Sequence, residues 1–112
     1  MKKKHRRIVV DDVTFAWAGD WSHIGGRRVV SLRAWHQTDD ERPVGPVLSV
    51  KLVNKHGGMV DCAAAVPQDA RAAILLGRAL GWSPEGRGVF WILPTHGLAL
   101  QDLDVVDPAT LG

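Results

Sequence analysis

The side chains in this sequence that could do chemistry are five histidines, one cysteine, a short acidic run and an unusual number of tryptophans. His5, His23, His36, His56 and His96 offer acid–base work or metal ligation. They lie far apart, and none stands in an H-x-H, H-x3-H or H-E-x2-H arrangement. A shared metal would therefore depend wholly on tertiary proximity. Asp39, Asp40 and Glu41 are consecutive acids in a loop-like stretch, which are ordinarily just solvated, and no second ligand group stands at a recognisable spacing. Cys62 cannot form an internal disulfide, and its neighbours Ala63, Ala64 and Ala65 point to a buried inert thiol. A nucleophilic cysteine would want an electropositive, accessible niche. Ser22, His23 and Asp20 supply the three residue types of a hydrolytic triad. Neighbours in one loop, however, rarely hold the oriented geometry that nucleophilic attack needs. There is no G-x-S-x-G, no phosphate loop and no C-x2-C pair, so no cofactor and no metal are expected.

The aromatic usage is the distinctive feature: five tryptophans and two phenylalanines, with no tyrosine. Trp17, Trp35 and Trp91 fall in strand-like runs, and Trp21 and Trp82 in loop-like ones. Tryptophan is enriched at interfaces and in ligand pockets. One reading is core packing for the strand residues and a lid over the core edge for Trp21. The other is a ligand pocket built from Trp21, Trp82 and a strand tryptophan, Trp35 or Trp91, with His23 or His96 as its polar group.

The elements that must carry these residues can be read from periodicity. Val66 to Phe90 reads as a capped helix, a turn and the start of a strand. Pro67 suits the first helical position, and Asp69 and Arg78 match the macrodipole at the two ends. At about 100° per residue, Ala70, Ala73, Ile74, Leu76, Gly77 and Leu80 share one arc. The helix is thus expected over about residues 67–80, with Gly81 left-handed at C′ and Trp82 folding back on Leu76 in a Schellman cap. Ile8 to Val10 and Val13 to Ala18 form a hairpin about Asp11 and Asp12, with Val13, Phe15 and Trp17 on one face. Gly19 to Gly26 reads as a loop, Arg28 to His36 as a strand, and Gln37 to Pro46 as an exposed connection. Val47 to Val53 alternates Leu48, Val50 and Leu52 against Ser49, Lys51 and Val53. A turn at residues 54–58 leads to a strand from Met59 to about Ala63. Gly88 to Leu93 and Leu98 to Val106 complete the set. Strands, then a helix, then strands predict an α+β fold, a mostly antiparallel sheet of five to six strands against one amphipathic helix.

At 112 residues, with 46% hydrophobic and 23% charged residues, the chain is expected to be one globular domain carrying a mobile basic arm over residues 1–7. No apolar run approaches the roughly 18 residues of a membrane span. The basic start is not followed by the apolar core of a signal peptide, so a cytoplasmic location is expected. The formal net charge is only +2, and the remainder without Lys2, Lys3, Lys4, Arg6 and Arg7 is net acidic, which argues against nucleic acid as the partner.

Val10, Asp11, Phe15 and Trp17, the Ala34-Trp35 pair, Pro67, Gly81, Trp82, Pro84, Gly88 and the Val89-Phe90 pair together resemble a family of small, uncharacterised bacterial proteins. That family opens with a V-D-G-x2-Y-x-W-like motif and later has a V-x-P helix followed by G-W-x-P-x3-G-x-x-F. Asp12 replaces the turn glycine and Phe15 the tyrosine. The resemblance covers most of the chain through turn, cap and packing residues; it implies a fold and no activity.

The functional expectation is a non-enzymatic association protein, of accessory or immunity type. The alternative is the tryptophan-lined small-molecule module, and a small hydrolase or nuclease comes third. One helix about 10 Å wide covers only half of a sheet at least 20 Å wide, so a two-fold homodimer through the bare sheet face or an edge strand is expected.

Overall fold

Asp11 and Asp12 both adopt positive φ, 51° and 64°, and the chain reverses there in two residues. Such a turn matches the twist of the strands it joins, and Asp tolerates the left-handed region better than most side chains. It links β1 (Arg6–Val10) to β2 (Val13–Ile24). The computed structural model of the chain describes residues 5–38, 40, 42–55 and 64–111. β3 (Arg27–Gln37), β4 (Pro43–Asn54), α1 (Pro67–Ala79), β5 (Val89–Trp91) and β6 (Leu103–Val106) follow.

The six strands form one mostly antiparallel sheet with α1 packed on one face, the α+β architecture expected. The order is β1-β2-β3-β4, and β5 and β6 then share the remaining edge of β4. β5 runs parallel to β4 beside Val47–Ser49, whereas β6 runs antiparallel beside Lys51–Asn54.

The first correction concerns Gly19 to Gly26. β2 continues to Ile24 and pairs with β3 throughout, from Phe15↔His36 to Ile24↔Arg27. The reversal is confined to Gly25 and Gly26, with φ of 61° and 78°. Gly19, Asp20 and Ser22 are poor strand formers, but pairing along the length of β3 overrides that propensity. A second correction concerns Gln37 to Pro46, because β4 already begins at Pro43. Its register jumps from Ala34↔Leu48 to His36↔Val44, so Gly45, Pro46 and Val47 stand opposite Trp35 alone. A bulge of this kind is where a sheet tolerates proline. A third is that Arg6 and Arg7 belong to β1 and not to a free arm, with the Arg6 guanidinium 5.3 Å from the centre of the Trp17 ring. The strand expected over 59–63 lies outside the described residues, as do His56, Cys62, Asp39 and Glu41. The last two strands are shorter than expected, since the prolines and glycines around 94–97 and the irregular stretch before Leu103 interrupt pairing.

The core lies between α1 and the sheet. Phe15, Leu32, Leu48, Leu52, Ile74 and Ile92 are fully buried in it, each contributing about 1.5–3 kcal/mol by leaving water. On α1 the buried residues are Asp69, Ala70, Ala73, Ile74 and Gly77, while Leu80 is exposed. The narrow alanine and glycine stripe lets the helix sit close. A Cβ on Gly77 would come within 2.9 Å of Leu48 Cδ1. Asp69 accepts a hydrogen bond from the Val66 N–H at 3.0 Å, which satisfies a donor ahead of the first turn. At the other end Trp82 N–H donates to Gly77 O at 2.8 Å and Gly81 N–H to Arg78 O at 3.2 Å, with Gly81 at φ 104°. That pair of bonds is a Schellman cap, as expected.

Candidate functional site: the helix-free face of the sheet

Strand alternation divides the side chains between the core face and a face that carries no helix. On the latter, two halves differ in chemistry. The apolar half crosses β3, β4 and β5: Trp35 lies opposite the bulge, Val47 pairs with Val89, and Ser49 pairs with Trp91. Val89 is 53% exposed and Trp91 37% exposed; Trp35 and Val47 are half-buried. His5 places its ring edge-on to Trp35, with centroids 5.4 Å apart.

In the polar half, Asp20, Ser31 and Lys51 stand in one cross-strand row, and Arg33 is two residues along β3 from Ser31. Arg33 Nη2 donates to Asp20 Oδ2 at 2.9 Å, and Lys51 Nζ donates to Ser31 Oγ at 2.6 Å. These residues, with Ser22 and the β2 segment at Trp21, border an open depression of about 330 Å³. The arrangement is rich in donors and nearly neutralises its single carboxylate with Arg33.

The residues singled out in the sequence are not gathered together. Trp35 and Trp91 do share the helix-free face. Trp21 and His23 lie on the opposite face at the far end of β2, the ring of Trp21 stacked 3.9 Å from the Arg28 guanidinium and 5.4 Å from the His23 ring. Trp82 is only 3% exposed. It stacks on Phe15 at 5.6 Å, lies 4.3 Å from His36, and donates its indole N–H to Pro46 O at 2.9 Å. Phe15 and Trp21 are six positions apart along β2, roughly 20 Å at about 3.3 Å per residue, so Trp21 and Trp82 do not line one pocket. His96 accepts a hydrogen bond on Nδ1 from the Leu93 N–H at 2.9 Å, capping the 3-10 turn Pro94–His96. Asp20 and Ser22 face one side of β2 and His23 the other, which separates the members of the paper triad.

Two features escaped the sequence reading. One is the polar depression, hidden because Asp20 and Ser22 carry loop propensities that assign them no face. Its signal was the polar alternation Ser31, Arg33 on β3 and Ser49, Lys51 on β4, once β2 is extended beside them. The other is His36, buried between the rings of Phe15 and Trp82, with no hydrogen-bond partner on Nδ1. Burial, and then the positive charge of Arg78, hold its pKa below the usual histidine value.

Compared with protein-family models, with curated proteins and with solved structures, the chain matches none. No helix among the described residues is long and apolar enough to cross a membrane. Among the same residues, no three His, Cys, Asp or Glu side chains converge as a metal site would require.

Proposed function

We propose that this chain is a non-enzymatic association protein whose docking surface is the apolar half of the helix-free sheet face, with a second copy of the chain as its occupant. The reading rests on one observation: Val89 and Trp91 stand exposed beside Trp35 and Val47 on a face that α1 does not cover. Large apolar side chains grouped on a sheet surface are costly in water and mark interaction sites. A second copy fits because the four side chains of the patch, Trp35, Val47, Val89 and Trp91, carry no charge, and Arg7 and Arg33, cations on the same face, stand at its rim. Two identical uncharged patches meet across a two-fold axis without opposing like charges, whereas a strongly basic or acidic patch repels its own copy. The ring of an exposed tryptophan is also the side chain most often found carrying the binding energy at the centre of such an interface.

Sedimentation velocity on single variants tests this. Trp91→Glu and Trp35→Glu, each placing a carboxylate in the patch, shift a dimer toward monomer. Leu75→Glu, on the exposed side of α1, leaves the dimer intact. An unchanged dimer in both tryptophan variants places the contact elsewhere and ends this reading.

A further inference from the structure

We propose that the polar half of the same face, the depression between β2, β3 and β4, binds a small oxyanion such as a phosphate or carboxylate group. The donors of the depression outnumber its acceptors. Lys51 is half-buried and makes one hydrogen bond, to the Ser31 hydroxyl, and no ion pair with a described carboxylate, although Asp20 shares its row and Asp104 stands diagonally across on β6. An ammonium carries three N–H groups, so two remain for another partner. Ser31 accepts from Lys51, which leaves its own O–H available as a further donor. Arg33 spends one N–H on Asp20 and keeps four more on a guanidinium 40% exposed. Ser22 adds a hydroxyl at the rim. The one carboxylate of the depression, Asp20, is already engaged by Arg33. What remains is a concave group of donors around a half-buried ammonium, an arrangement complementary to a group of several acceptor oxygens and negative charge.

The sheet makes the arrangement rigid. Ser31 pairs with Lys51 and Asp20 pairs with Ser31 in consecutive ladders, so the three backbone positions are fixed by the sheet, and the Lys51–Ser31 and Arg33–Asp20 hydrogen bonds orient the side chains. An ion entering the depression therefore meets donors already in place, and little ordering is lost on binding. The site adjoins the apolar half, since Arg33 is two residues from Trp35 on β3 and shares a row with Trp91, but it uses none of the docking residues.

Inorganic phosphate is the probe. Amide chemical shifts are followed by NMR as phosphate is added at constant ionic strength, with chloride as the balancing anion. The expected result is a saturable shift centred on Asp20, Ser22, Ser31, Arg33 and Lys51. Lys51→Gln should weaken it by roughly tenfold or more, the loss that follows from removing a charge-assisted bond, and Lys51→Arg should restore it. Shifts that never saturate, that centre on the basic N-terminus, or that survive Lys51→Gln unchanged overturn the proposal. Trp91→Thr, which leaves the depression untouched, should bind phosphate as the parent chain does whatever its mass, so this proposal and the docking surface fail independently.

Discussion

The indole N–H of Trp82 donates to the carbonyl oxygen of Pro46, and this 2.9 Å bond ties the end of α1 to the bulge of β4. Around it the turn after the helix packs tightly on the bulge. A Cβ on Gly45 would lie 2.6–2.8 Å from the Pro84 backbone, and one on Gly86 would lie 3.3 Å from Pro46 Cγ. Trp82→Phe keeps the ring but deletes the donor, leaving a buried carbonyl without its partner. The expected loss is about 1–3 kcal/mol, read as a lowered midpoint in chemical denaturation with unchanged slope.

Gly45→Ala and Gly81→Ala separate backbone strain from close packing. Both glycines have positive φ, 77° and 104°, but a Cβ on Gly81 meets nothing within 4 Å while one on Gly45 meets backbone. Gly81→Ala should cost about 1–3 kcal/mol, the strain alone. Gly45→Ala should cost more, because the Pro84 turn or the bulge has to move as well. Equal melting temperatures for the two variants would contradict this account of the bulge.

Protonation of His36 is expected to destabilise the fold as pH falls. Its ring is held by Phe15 from β2 and Trp82 from the helix end, opposite Val44 of β4. The charged groups nearby are Arg78 of α1 and Asp11, whose carboxylate lies 3.9 Å from Arg78. Burial and Arg78 lower its pKa in the folded state, so the unfolded chain, near 6.5, takes up the proton first. The stabilising contribution is therefore complete above about pH 6.5 and is lost as pH falls through and below that value. His36→Phe, which cannot be protonated, should flatten the decline in stability between about pH 6.5 and the carboxylate range. If parent and variant decline in parallel, His36 does not govern this limb.

How much of this was legible in the sequence follows from which forces act locally. The helix, its Gly81 cap and the core faces of β2, β3 and β4 were readable, because an arc of Ala70, Ala73, Ile74 and Gly77 and the alternation Leu48, Val50, Leu52 reflect burial directly. The second half of β2 was not. Gly19, Asp20 and Ser22 carry loop propensities, and only pairing with Arg27–Leu32 makes them a strand. The start of β4 was hidden similarly, since Pro43, Gly45 and Pro46 read as breakers until Trp82 and Pro84 are seen to grip the bulge. Of the candidate site residues, Trp35 and Trp91 stand on an accessible surface together. Trp82 looked like a loop residue for the same reason that it is buried: the cap turns its ring back into the core. The donors at Ser31, Arg33 and Lys51 were visible individually, but their convergence is a consequence of register.

If the apolar half of the helix-free face meets its own copy, the mass of the protein in solution reveals it. Multi-angle light scattering at micromolar concentration should give about twice the chain mass of 12.2 kDa, falling toward the single-chain value in Trp91→Glu. A parent chain that stays at 12.2 kDa across that concentration range would contradict the claim.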